Sequence, residues 1–130
     1  MIVGIGVDLI EVSRLRLAIE RHGERFLRRV FTPDEIAYCQ SKKNPYERFA
    51  ARFAAKEAAM KALGTGWRRG VQWREIEVYH CPGGKPALRL AGRAEEIYRD
   101  LGGAQILLSI THTSEHALAQ VILEGTDEEP

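Results

Sequence analysis

The chain has 130 residues, 45% hydrophobic and 28% charged, which is the balance of a globular domain long enough to bury one core. A formal charge of +1 speaks against general nucleic-acid binding, and no apolar run is long enough to cross a bilayer. The opening residues lack the basic start of a signal peptide, so the expected location is cytoplasmic, where Cys39 and Cys81, without metal-like spacing, read as unpaired thiols with no assigned role.

Ile2 to Leu9 alternates as a strand does, with Ile5, Val7 and Leu9 on one face and Gly4, Gly6 and Asp8 on the other. Two glycines beside an aspartate leave a vacant groove on that second face. Glycine within a strand marks close approach of a ligand or another backbone, a bulge, or a tight helix contact. Ser13 is expected to cap a helix that stops at Gly23, and a short helix carrying Phe26 and Leu27 follows. Thr32-Pro33-Asp34-Glu35 supplies an N-cap, a proline at the first helical position and a capping-box acid. Asn44-Pro45-Tyr46-Glu47 repeats that device and opens a helix to Leu63, a span of about 28 Å at the standard rise, with Gly64 as its stop.

Beyond Gly64-Thr65-Gly66, Ile76 and Val78 alternate with polar neighbours, Pro82 to Pro86 makes a turn, and Ala87 to Leu90 is the returning strand. Arg93 to Leu101 reads as a helix ended by Gly102. Ile106 to Thr113 and Ala117 to Leu123, separated by Ser114-Glu115-His116, read as an antiparallel hairpin. The order predicts an α+β fold: one compact domain over residues 1–124, a mainly antiparallel sheet packed against a long helix, then a disordered acidic tail, residues 125–130.

The long helix carries the most informative chemistry. Phe53, Met60, Leu63 and a series of alanines make it apolar nearly all round, yet Lys56, Glu57 and Lys61 lie within it. Glu57 and Lys61 are four residues apart and project together. Charges beside a dry surface cost on the order of several kcal/mol unless each is paired or holds a ligand. If the first strand packs on this helix, Asp8 and Glu57 form a two-carboxylate site of the kind that holds Mg²⁺ with waters and phosphates. An exposed Glu–Lys pair is the plain alternative.

Gly64-Thr65-Gly66 follows a helix rather than preceding one, so it is a C-cap and turn before it is a phosphate loop, though amides in such a turn can line an anion pocket beside Lys61. Ser109 and Thr111 share one face of their strand and His112 takes the other. Hydroxyl rows commonly serve sheet pairing, and a histidine among apolar neighbours is commonly structural. Neither Ser109 nor Ser114 sits in the glycine-flanked elbow of a serine hydrolase. Between positions 14 and 29, Arg14, Arg16, Arg21, Arg25, Arg28 and Arg29 face only Glu20 and Glu24, a surface suited to an acidic partner or simply a solvated face balanced by the acidic tail.

Together these motifs resemble the 4′-phosphopantetheinyl transferases and, among them, the small holo-[acyl-carrier-protein] synthases of bacterial fatty-acid synthesis. Ile5-Gly6-Val7-Asp8 is similar to the family's first metal motif and Phe53-x-x-Lys56-Glu57-Ala-x-x-Lys61 to its signature helix. Gly64-Thr-Gly66, Ile76-Glu-Val78, Gly84-Lys-Pro86 and Ser109-Ile-Thr-His112 follow in the family's order. The resemblance implies the transferase fold and transfer of 4′-phosphopantetheine from coenzyme A to a serine of apo acyl carrier protein, with adenosine 3′,5′-bisphosphate leaving. It implies Asp8 and Glu57 as Mg²⁺ ligands, Glu57 and Lys61 as catalytic residues, and Lys61 on the phosphates of coenzyme A. Gly64, Thr65, Gly66, Ser109, Thr111 and His112 would hold the nucleotide end. Arg14, Arg25, Phe26 and Arg29 would meet acyl carrier protein, and the assembly would be a homotrimer with active sites between subunits. The general base stays open, with Glu57 acting through a water and Glu35 as candidates. Two other classes compete: a non-catalytic module docking an acidic protein, and a sensor that binds coenzyme A without consuming it.

Overall fold

The computed structural model describes residues 1–64 and 70–126. Strand β1 (Ile2–Glu11) runs straight into α1 (Val12–His22), followed by α2 (Glu24–Val30), α3 (Pro33–Gln40) and the long α4 (Pro45–Leu63). A turn of 3-10 helix at Trp73–Glu75 leads to β2 (Ile76–His80) and β3 (Pro86–Leu90), then α5 (Gly92–Asp100), β4 (Gly103–His112) and β5 (His116–Gly125). Strand β5 reaches Gly125, one residue into the stretch expected as tail; the rest of that tail from Asp127 onward lies outside the described residues.

The strands form two antiparallel sheets, β1-β5-β4 and β2-β3. Register across the larger sheet puts Gly4, Gly6 and Asp8 of β1, Ala119 and Val121 of β5, and Leu108 and Ile110 of β4 on one face. Helix α4 packs across that face. The reason is steric. The central strand offers Ala117, Ala119 and Val121, all fully buried, to a helix whose Ala50, Ala54, Ala55 and Ala58 are also fully buried. A Cβ on Gly6 would sit 2.0 Å from the carbonyl oxygen of Ala58, and one on Gly4 would sit 2.2 Å from that of Ala62. The groove expected beside Asp8 is therefore filled by the helix backbone.

The opposite face of this sheet is bare. Ile5, Val7 and Leu9 are 57%, 50% and 62% exposed. Register aligns them in rows with Ile122 and Leu107, with Gln120 and Ser109, and with Leu118 and Thr111.

Local signals held where their partners are adjacent in sequence. Thr32 and Glu35 form the reciprocal capping box, and Gly64 ends α4 in the left-handed region at φ 75°. Two expected caps did not form. Ser13 lies inside α1 because β1 stays paired with β5 as far as Glu11. The amide of Val12 then donates to the Glu115 carbonyl at 2.8 Å instead of to a side chain. Asn44 makes no side-chain cap bond either.

On its other flank α4 buries an ion pair. Lys56 and Glu35 meet at 2.7 Å with both side chains fully covered. Such a pair survives only when its remaining donors and acceptors are met. Lys56 Nζ also donates to the carbonyls of Trp73 and Ile76, while Glu35 accepts from the amides of Thr32 and Val78 at 2.9 and 2.8 Å. Burial, opposed by Glu35, holds the Lys56 pKa below its ordinary value. Glu35 is thus consumed by structure and is not placed to serve as a general base.

Gly6→Ala should cost at least the roughly 1–3 kcal/mol of an overpacked interior, because neither backbone can yield without parting β1 from α4. Urea denaturation reads this as a lower midpoint, whereas Gly83→Ala, in open space, should show only the strain of its positive φ.

Candidate active site

Asp8 lies near the end of β1 on the helix side, with its side chain 13% exposed. Close packing of β1 and α4 brings it to the last turns of the helix. There Lys61 Nζ donates to Asp8 Oδ1 at 3.0 Å and to the Val7 carbonyl at 3.1 Å. Glu57 stands one turn before Lys61 on the same side of the helix. Burial first, and then the charge of Asp8, raises the Glu57 pKa, against the opposing pull of Lys61. The three groups expected to converge do so.

Asp8 and Glu57 open onto a groove of about 360 Å³ between β1, α1, α2 and α4, lined also by Phe53, Arg14 and Phe26. Arg14 and Phe26, expected to face a partner, thus border the same groove as the two carboxylates. Arg16 pairs with Glu20 at 2.8 Å and Arg28 with Glu24 at 3.0 Å. Among the described residues Arg14, Arg21, Arg25 and Arg29 form no ion pair, so the uncompensated charge of α1 and α2 rests on them. Among the described residues Asp8 and Glu57 are the only carboxylates lining the groove. Among the described residues no group of three or more metal-ligating side chains occurs. Two carboxylate oxygen donors suit a hard cation that keeps its other positions for water and phosphate oxygens.

A second cavity, of about 490 Å³, lies beyond α4, between the end of α3, the β2–β3 hairpin and β4. Lys42, Arg48, Arg52, His80 and His112 line it and, among the described residues, no carboxylate does. Arg52 is 4% exposed. Its guanidinium stacks 4.1 Å over Tyr38, which in turn stacks on His80 at 4.5 Å. The Nε atoms of Arg48 and Arg52 are buried without a hydrogen-bond partner among the described residues. Cationic side chains gathered around one cavity suit an anion. Burial, then the charges of Arg52, Lys42 and Arg48, holds the His80 pKa below its ordinary value.

From sequence only His112 was assigned to ligand binding in this cavity; Lys42, Arg48, Arg52 and His80 were missed. The available signal was two arginines four residues apart, with no acid between them, on a helix otherwise buried. Ser109 and Thr111, grouped with His112 by resemblance, lie on the exposed outer face of the sheet while His112 lies on the helix side. One chain does not bring them together. Gly64 directly follows the turn that bears Lys61, and Thr65 and Gly66 lie outside the described residues. Cys39 is buried, its thiol pKa pushed up to about 12, mainly by burial, which rules it out as a nucleophile.

The raised Glu57 pKa sets a sign. Folding favours its protonated form, so that contribution to stability is present at low pH and is lost as pH rises through the folded-state value. Carbon-detected titration of the Glu57 carboxyl should show its pKa falling toward the ordinary range in Asp8→Asn, since one of the two raising causes is gone. An unchanged titration would mean the two carboxylates do not share a site.

Residues 4–121 match the family described as the 4′-phosphopantetheinyl transferase superfamily. A holo-[acyl-carrier-protein] synthase of Koribacter versatilis is 56% identical over 124 residues, 95% of this chain and 99% of the relative. The crystal structure of the corresponding enzyme of Neisseria meningitidis superposes with a TM-score of 0.87 at 34% identity, covering 95% of this chain and 99% of that one. The Bacillus anthracis enzyme, solved in complex with coenzyme A (3′,5′-ADP), superposes at 0.79 with 38% identity over 97% and 99% of the two chains. Agreement in length, fold and sequence, together with the convergence of Asp8, Glu57 and Lys61, establishes that the chain belongs to the 4′-phosphopantetheinyl transferase superfamily.

Proposed function

We propose that residues 1–124 form a cytoplasmic enzyme of fatty-acid biosynthesis. It transfers the 4′-phosphopantetheine group of coenzyme A to a serine of apo acyl carrier protein. The serine oxygen bonds to the phosphorus that carries pantetheine, the bond from that phosphorus to the bridging oxygen breaks, and adenosine 3′,5′-bisphosphate leaves. The observation that carries this reading is the meeting of Asp8 and Glu57 at a groove bordered by Arg14, with Lys61 bonded to Asp8 beside it.

Asp8 and Glu57 fit a magnesium ion: they are hard oxygen donors, near enough that the charge of one raises the pKa of the other. Mg²⁺ bound there would supply Lewis-acid polarisation of the phosphoryl oxygens. Lys61 neutralises negative charge gathering on the leaving bisphosphate, and Gly64, Thr65 and Gly66 are assigned to hold the nucleotide end. With Glu35 taken up in the core, Glu57 is the remaining candidate to receive the hydroxyl proton, through a water. Arg14, Arg25 and Arg29 attract the acidic carrier and Phe26 gives it an apolar seat.

The nucleotide end of coenzyme A, with its own phosphate, suits the cationic cavity of Arg48, Arg52 and His112. Glu57 and Arg48 are nine residues apart, so at about 100° per residue they lie on opposite sides of α4. One substrate molecule therefore bridges two copies, the carboxylate groove of one and the cationic cavity of the next, in a homotrimer. The bare face of Ile5, Val7 and Leu9 is the surface such an assembly covers, and Ser109 and Thr111 then belong to the interface.

Glu57→Gln should keep the wild-type melting profile yet lose about two to three orders of magnitude in transfer, the scale of removing one group that acts on transition-state charge. Mass analysis of apo carrier protein incubated with coenzyme A and Mg²⁺ measures it, and a chelator should stop the wild-type reaction reversibly. An active Glu57→Gln enzyme, or transfer indifferent to the chelator, would sink the assignment.

Light scattering tests the assembly. Val7→Glu, on the exposed face, should convert a trimer into monomers that keep their fold and lose transfer. A wild-type monomer with full activity would refute the bridging arrangement.

A further inference from the structure

Glu47 stands in the first turn of α4, where the sequence predicts a capping role with Asn44. That bond is absent, and the Glu47 carboxylate instead lies 3.3 Å from Nδ1 of His112. The two side chains are mostly covered, His112 25% and Glu47 20% exposed. The functional reading above uses His112 but leaves its carboxylate partner without a task.

His112 ends β4 with its ring lining the cationic cavity. The charged and titratable groups around that cavity are Lys42, Arg48, Arg52, His80 and Tyr38. Among the described residues, Glu47 is the only carboxylate bonded to the ring. With Nδ1 turned to Glu47, Nε2 is the nitrogen left for a ligand. A neutral ring that gives its Nδ1 proton to Glu47 presents a lone pair at Nε2, which repels a phosphate oxygen. A protonated ring held the same way presents a second N–H donor, which binds one. Carboxylate–imidazole pairs orient a ring and stabilise its charged form in this manner.

We propose that Glu47 is a positioning residue for coenzyme A: it holds Nδ1 of His112, so that Nε2 faces a phosphate of the nucleotide and donates to it when the ring is protonated. This rests on the assignment of the nucleotide end to the cationic cavity. Binding that needs a protonated ring weakens toward alkaline pH, and removing the carboxylate that faces Nδ1 should sharpen that weakening.

Titration calorimetry of coenzyme A into the full-length assembled protein, from about pH 6 to about pH 8.5, spans the range in which histidine changes charge. Glu47→Gln should bind nearly as wild type at the acid end. It should bind about tenfold more weakly at the alkaline end, a loss of about 1.4 kcal/mol. In turnover the loss should fall on KM for coenzyme A rather than on kcat, and Glu47→Asp should restore most of the wild-type profile. In a His112→Gln background Glu47→Gln should add nothing at either end of the range, whatever pH dependence His80 and the substrate phosphate leave. A loss in Glu47→Gln that is independent of pH, or that persists in the His112→Gln background, overturns the positioning role while leaving the cavity assignment intact. Unweakened binding by His112→Gln overturns the cavity assignment itself.

Discussion

The approach of two backbones, β1 at Gly4 and Gly6 and α4 at Ala58 and Ala62, is the constraint on which the rest depends. Strand and helix meet without intervening side chains, and only at that separation does Lys61 reach Asp8. Small residues bury little apolar area each, so this seam contributes less hydrophobic stabilisation than leucines would. Larger groups on the flanks offset it: Phe31 against Phe49, with ring centroids 4.9 Å apart, and Phe53 stacked on Trp73 at 5.0 Å. The core is thus dense at its edges and thin under the site.

Helix α4 carries its charges in three states of satisfaction, and these states sort structure from chemistry. Lys56 is fully covered and fully bonded, and ties the helix to the cap of α3 and to the turn before β2. Arg48 and Arg52 are only partly satisfied: among the described residues their buried Nε atoms have no hydrogen-bond partner, while the Arg52 guanidinium donates to the Arg48 carbonyl and stacks on Tyr38. Glu57 and Lys61 stand between these extremes, one partly buried with a raised pKa and one exposed and bonded to Asp8. A charge whose partners are all present in the chain holds a fold together. A charge held out of water without partners is stable only if something outside the chain completes it. By that criterion Lys56, though part of the signature helix, is architectural, and the partly satisfied Arg48 and Arg52 are the ones that the proposed function gives to the substrate.

What could be read in the sequence follows from the range of each interaction. The Thr32 capping box, the Gly64 stop and the two hairpins depend on residues a few positions apart, and they were legible. The meeting of Asp8 and Glu57 was legible because strand alternation and helical periodicity each fix a face, leaving only the packing of one on the other to be supposed. Ser13 failed as a cap because Glu11 is paired with His116, far along the chain. Asn44 failed because Glu47 is drawn to His112, another distant partner. The cationic cavity has contributions from α3, α4, the β2–β3 hairpin and β4, and no local pattern could assemble it. Alternation also separated the two faces of β1 without saying which looks outward; the apolar Ile5, Val7 and Leu9 are the exposed ones.

That outward apolar face and the placement of the two half-sites have one physical solution under the proposed reading. A domain this small cannot wrap a long substrate around α4, because the helix itself separates the carboxylate groove from the cationic cavity. If the groove of one copy faces the cavity of the next, the contact joins two different surfaces, and such a contact must either close into a ring or continue as a filament. Closure lets every copy use both flanks of the same helix and covers the apolar rows of β1, β5 and β4 at once. The exposed Ile5, Val7 and Leu9 and the separation of Glu57 from Arg48 are then two consequences of one requirement, that the site be completed by a neighbour.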